Sequence, residues 1–281
     1  MLAMGILGLL RFLEVSMAAT LAELRKKRHL SVSAIKCFLS CPRKYHLAYV
    51  ERARADYYPA ALALGSAWHA AIAGWLNDEV NDGSLDAQLG ADLRERLRRD
   101  DIPILFDDAD EDADGFIEHA VKMFNSFCAS IPRPRTVLGT EIVFETEIAH
   151  PATGEVLPLP VVGAIDAVVV EEDGVGRLWE LKTASKKWPS SGGATEFDPQ
   201  VTLYRKAARE LGYDGISLRV LVTTKTKEPQ VQTLDVDRTD GDEGELAELF
   251  FDVYRAIEAG VSFRQRGWAC RTCQYASSCR P

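Results

Sequence analysis

Three ionisable residues, Asp166, Glu180 and Lys182, each interrupt an apolar run. Asp166 lies in "VVGAIDAVVVEE" (161–172), while Glu180 and Lys182 lie in "RLWELKTA" (177–184). The intervening "EDGVG" (172–176) predicts a turn centred near Asp173, so the two runs predict an antiparallel hairpin. Asp166 precedes that centre by seven residues and Glu180 follows it by seven. A regular hairpin would set the two carboxylates opposite each other on one face. Lys182, two residues further on, emerges on that face too. Two carboxylates that close repel unless one is protonated or a cation lies between them. Mg2+ or Mn2+ suits the place, because hard divalent ions take oxygen ligands. The lysine is not needed for the metal. It suits orienting or deprotonating a water, or offsetting charge on a phosphate under attack. The competing reading is an Asp–Lys or Glu–Lys ion pair on a solvated sheet face, and Asp plus Glu-x-Lys alone does not separate the two.

The second chemical signal is sulfur. Of six cysteines, Cys270, Cys273 and Cys279 fall in "CRTCQYASSC", a C-x2-C-x5-C spacing. Three thiolates so close can share one metal or cluster, which normally takes a fourth ligand. Cys41, beside Pro42, is the candidate from the other end of the chain; Cys37, one helical turn away, is the substitute. Four thiolates suit zinc as well as iron–sulfur chemistry. Cys128 reads as a small buried apolar residue. A disulfide framework is not expected of a chain this large without a clear export signal.

These groups need elements to hold them. Residues 31–50 predict two short helices, with Ser31 or Ser33 as N-cap and Pro42 opening the second. "LALGSAWHAAIAGWLNDE" (62–79) predicts a helix with His69, Ala73 and Leu76 on one face. Residues 84–99 carry a Leu85, Leu89, Leu93, Leu97 stripe, and 111–130 predict another helix. Strands are expected at 140–150, 161–172 and 177–184, the second buried on both faces. A helix at 198–211 carries Gln200 and Tyr204 at i, i+4; two more strands and a helix at 243–259 lead to the cysteine tail. The order predicts an α/β or α+β core around a mixed sheet.

At 281 residues the chain can bury one large core, and no apolar run reaches the roughly 20 residues of a membrane span. The apolar "MLAMGILGLLRFLEVSM" lacks a basic start and contains Arg11 and Glu14. It reads as a poorly formed signal peptide, an over-extended start with Met17 as the true one, or a short amphipathic helix. The net charge of −9 does not exclude a nucleic-acid partner. Residues 78–114 hold fourteen acidic residues against four arginines, a net of −10, which leaves the rest at about +1. That remainder contains basic clusters at 25–29, 43–46, 182–187 and 264–271, each able to meet phosphates or to be a solvated face.

Six motifs in order over 31–281 resemble the PD-(D/E)XK nuclease superfamily: "SVSAIKCFLSCPRKY", "GSAWH", "VVGAIDAVV", "WELKTAS", "QVTLY" and "CRTCQYASSC". In particular they are similar to RecB-type nuclease domains with an iron–sulfur staple, as in AddB-like nucleases and the CRISPR-associated four-cysteine exonucleases. The resemblance implies a restriction-endonuclease-like α/β core, a central mixed sheet flanked by helices. It implies a leader over 1–30, disordered or outside the true start, and a nuclease domain over 31–281. Within that domain 78–130 would be an acidic helical insertion and 264–281 the cluster tail. It implies a metal-dependent DNA nuclease, expected to be an exonuclease, acting in repair, recombination or CRISPR or phage DNA processing. His69, Asp166 and Glu180 would hold Mg2+ or Mn2+, Lys182 would position the water, and Gln200 and Tyr204 would support site and DNA. Cys41, Cys270, Cys273 and Cys279 would bind a [4Fe–4S] cluster, with zinc as the alternative. DNA is the expected partner and the cytoplasm the expected place, with no membrane. The chain has no P-loop, so any helicase partner is a separate chain. The rival class is a non-catalytic, cluster- or zinc-stapled DNA-binding scaffold with a vestigial site.

Overall fold

The computed structural model describes residues 20–78, 85–108, 111–189 and 198–280. The chain enters through α1 (Leu21–Leu24), closed by a capping box between Thr20 and Glu23. Ser31 caps α2 (Val32–Ser40), its hydroxyl accepting from the Ala34 N–H. Pro42 starts α3 (Pro42–Tyr45), which runs into a π-helical turn at His46–Val50. A short strand β1 (Tyr58–Pro59) leads into α4 (Ala60–Leu76), then α5 (Leu85–Arg96). Strand β2 (Ile104–Leu105) pairs in parallel with β1, and α6 (Ala113–Ser130) completes the helical stretch.

Five strands then form the sheet: β3 (Thr136–Thr146), β4 (Val161–Val170), β5 (Gly176–Ala184), β6 (Ser217–Thr224) and β7 (Val231–Val236), in that spatial order. Helix α7 (Pro199–Glu210) crosses between β5 and β6, which are therefore parallel; the other three pairings are antiparallel. Helix α8 (Asp240–Glu258), with its Thr239–Asp242 capping box, and the short α9 (Ala276–Cys279) end the described chain. Strand β3 starts at Thr136 rather than 140 and ends at Thr146. From residue 147 the chain turns out of the sheet, closing on itself through an Ala149–Val156 bridge.

Each sheet face has its own core. On one side α2, α7 and α8 bring Ile35, Phe38, Leu203 and Phe250 onto Leu178, Val220 and Val222. On the other, α4, α5 and α6 bring Trp68, Leu89, Leu93 and Phe127 onto Ala167, Val169, Trp179 and Leu221. The leucine stripe of the acidic segment is thus turned inward: Leu89, Leu93 and Leu97 are buried while its charges face out. This is the mixed α/β architecture expected of a restriction-endonuclease-like fold. Of the expected leader, residues 1–19 lie outside the described residues. Leu30 belongs to the folded body, exchanging backbone hydrogen bonds with Pro160 and Val162 at the start of β4.

Candidate active site

The β4–β5 ladder holds the register that the turn arithmetic requires, Ala167 opposite Trp179 and Val170 opposite Gly176. It stops there, one pair short of Asp166 and Glu180. Two carboxylates in direct apposition between apolar layers would be costly, and the strands part at that point instead. Asp166 uses the opening: its Oδ2 accepts the Leu181 N–H at 2.7 Å, so a side chain replaces a ladder partner. The core contacts of β4 change phase here as well, Ile165 and Val168 serving one core and Ala167 and Val169 the other.

Through this opening both helical layers reach one carboxylate. His69, on α4, places Nδ1 3.2 Å from Asp166 Oδ1. Tyr204, on α7, donates its hydroxyl to the same oxygen at 3.5 Å. Gln200, one turn earlier, donates from Nε2 to the Tyr204 oxygen at 2.9 Å and accepts from Lys182 Nζ at 3.1 Å. Asp198 caps α7 and Pro199 opens it, so Gln200 and Tyr204 sit in a rigid first and second turn. All six residues expected from the sequence at the acidic centre are therefore gathered here.

Glu180 and Lys182 project to the same sheet face as Leu178, beside Val220 and Val222 of β6. Glu180 is 1% exposed and ion-paired through Oε1 with Lys182, while its Oε2 has no hydrogen-bond donor among the described residues. Burial, then the charge of Asp166, pushes its carboxyl well above the usual range, against the pull of Lys182. Burial opposes the charge on Lys182, but Glu180 outweighs it and holds the ammonium above its ordinary pKa. Burial likewise opposes charge on His69, and hydrogen bonding to Asp166 and Glu141 overrides it, raising the imidazole to about 10.

Glu141 is the member that sequence reasoning missed. It occupies β3 between the pairs Thr140–Ala167 and Ile142–Ile165, hence opposite Asp166. Its Oε1 is 3.5 Å from His69 Nδ1, and its φ of 48° is left-handed. His69, Glu141 and Asp166 present ligand atoms within 4.8 Å of one another, the one such group of three or more among the described residues. The available signal was an acid inside an alternating apolar strand, "TEIVFE". This donor set, an imidazole with two carboxylates and the buried Glu180 in the same cluster, fits a hard divalent cation.

At the far end of the chain the four cysteines meet. Cys41, Cys270, Cys273 and Cys279 line one cavity of about 180 Å3, with Lys44, Arg264 and Arg266 at its wall. Cys37 does not line it; it packs against the α2 side of the core, and burial lifts its thiol to about 11. Backbone hydrogen bonds fasten the tail to the body, Arg43 N–H to the Phe263 carbonyl at 3.0 Å and Asp56 N–H to the Gln274 carbonyl at 2.7 Å.

A five-stranded mixed sheet that opens around an Asp, Glu-x-Lys and His cluster defines a nuclease-type core. The chain belongs to the PD-(D/E)XK nuclease superfamily, whose family model matches residues 29–280. A solved structure of a candidate exonuclease from Eubacterium rectale superposes with a TM-score of 0.56 at 16% identity, covering 92% of each chain. The structure of SSO0001 superposes with a TM-score of 0.41 at 16% identity, covering 92% of this chain and 91% of the other. No curated protein matches the chain by sequence. Among the described residues no helix is long and apolar enough to cross a membrane.

Proposed function

We propose that this nuclease is a metal-dependent exonuclease that hydrolyses DNA phosphodiesters, of the RecB/AddB-like kind with a four-cysteine iron–sulfur staple. The observation that carries the reading is Asp166, whose one carboxylate is reached by His69 and Tyr204 from opposite helical layers, with Glu141 within 4.8 Å on the neighbouring strand. His69, Glu141, Asp166 and Glu180 would hold Mg2+ or Mn2+. A bound ion of that kind polarises the scissile phosphate and lowers the pKa of a water beside it.

The chain's own residues do the rest. Lys182 is kept cationic by its ion pair with Glu180 and is aimed by the Gln200 carbonyl. It therefore suits orienting the attacking water and offsetting charge on the phosphate better than removing a proton. Tyr204 and Gln200 hold Asp166 and Lys182 in one frame through a continuous hydrogen-bonded chain. Purified protein should cut DNA only with Mg2+ or Mn2+. Lys182→Ala should lower the rate by roughly 10²-fold or more while DNA binding persists. A Lys182→Ala protein that cuts at the parental rate would refute the assignment; wild type that binds DNA and never cuts it would favour the scaffold reading.

The tail cavity, which Cys41 shares with the three tail cysteines, suits the cluster, with zinc as the alternative for four thiols. A separate helicase chain and a cytoplasmic setting in repair, recombination or CRISPR or phage DNA processing complete the proposal.

A further inference from the structure

A second concave site lies away from both centres. The segment 25–31, the π-helical turn and the end of α8 enclose a cleft of about 710 Å3. Arg25, Lys26, Lys27, Arg28 and Arg52 line it, in a chain whose net charge is −9. Of these five, only Arg28 has an ion pair among the described residues, to Glu258 at 3.0 Å. Four cations without an ion pair among the described residues line one hollow and repel each other, so the arrangement suits an anionic occupant.

The cleft also carries an aromatic platform. Tyr49 lines it at 45% exposure and stacks on the buried Tyr45, with centroids 5.0 Å apart and planes at 17°. Phosphate-matching cations around an exposed, braced ring are the features that bind an unpaired nucleic-acid strand, whose charge and bases are both accessible. Arg52 holds a left-handed φ of 51°, a costly conformation for a residue with a side chain, in the lining of the same hollow. One strand joins the cleft wall to the acidic centre. Leu30, in that wall, bridges to Val161, and Asp166 follows five residues along that strand, a path of about 17 Å.

We propose that this cleft holds the unpaired strand of the DNA substrate, its phosphates on Arg25, Lys26, Lys27 and Arg52 and one base on Tyr49. The inference rests on the nuclease reading for the identity of its ligand, and its test needs neither metal nor cleavage. Fluorescence polarisation of a labelled oligothymidylate is followed in EDTA with the full chain. The double substitution Lys26→Glu/Lys27→Glu should raise Kd at least tenfold. It should also flatten the log K against log salt slope by about 1.4, near 0.7 for each lost contact. Tyr49→Ala should weaken binding roughly fivefold or more while Tyr49→Phe preserves it. Unchanged affinity in all these variants would overturn the proposal, as would equal affinity for blunt duplex. So would phosphatidylglycerol vesicles that displace the oligonucleotide and lose the protein on the same substitutions, which would make the cleft a lipid-binding surface. Variant-sensitive strand binding without any Mn2+-dependent cutting would uphold the cleft and remove the nuclease reading instead.

Discussion

Glu141 stands opposite Asp166 across the β3–β4 ladder, in a left-handed conformation that brings its carboxylate to 3.5 Å from the His69 ring. Holding a non-glycine residue there costs about 1–3 kcal/mol, and such strain persists where the surroundings impose it. Glu141→Gly should therefore leave the metal-free protein as stable or more stable in a thermal melt. Both Glu141→Gly and Glu141→Gln should weaken Mn2+ binding by roughly tenfold or more, about 1.4 kcal/mol, in a titration calorimeter. Parental affinity in both would remove Glu141 from the cation site.

Glu180 and Lys182 form a buried pair in which the acid has no other polar partner among the described residues. Removing one member leaves the other stranded, at a cost of roughly 3 kcal/mol. Lys182→Met should therefore destabilise the metal-free chain in urea, and adding Glu180→Gln should restore most of the loss. An additive double mutant would mean that the pair is not coupled.

The metal-free site holds a proton that a cation must displace. The His69 imidazole is raised to about 10, so it is protonated at neutral pH, whereas a ligand histidine is neutral. Mn2+ binding at pH 7.5 should release at least one proton, from His69 and in part from the raised Glu180 carboxyl, seen as a binding enthalpy that varies with the ionisation enthalpy of the buffer. The sign for stability follows. A folded-state pKa above the unfolded value stabilises most below about 6.5, and that contribution is lost as pH rises through about 10. The metal-free protein should lose that part of its stability across this window, and His69→Gln should flatten the slope.

Hairpin arithmetic located Asp166 and Glu180 because the turn at 172–175 is too short to leave the register free. The splay beyond Trp179 was not legible, since it depends on α4 and α7 reaching in from opposite layers. Glu141 was hidden for a related reason: residues 147–160 separate β3 from β4, and no turn rule carries register across so long a connection. Gln200 and Tyr204 looked ordinary as an i, i+4 pair. Their meaning lies in the Lys182 and Asp166 contacts, which α7 supplies by crossing over the sheet. The basic segment 25–29 was visible as charge, but its hollow exists only where the π-helical turn and α8 close over it.

The tail makes a separate prediction. Protein purified without oxygen should be brown, with absorbance near ~400 nm. Cys41→Ser should bleach it, while Cys37→Ser and Cys128→Ser should not, because only Cys41 shares the cavity of the three tail thiols. A colourless protein with one equivalent of zinc would overturn the cluster.

The proposed chemistry requires a divalent ion seated between α4 and the opening in β4 at Asp166. Anomalous diffraction from crystals soaked in Mn2+ tests this most directly. The expected map has a peak within about 2.5 Å of an Asp166 oxygen, with His69 and Glu141 or Glu180 also in contact. A fully occupied peak elsewhere, with His69 still hydrogen-bonded to Asp166, would contradict it.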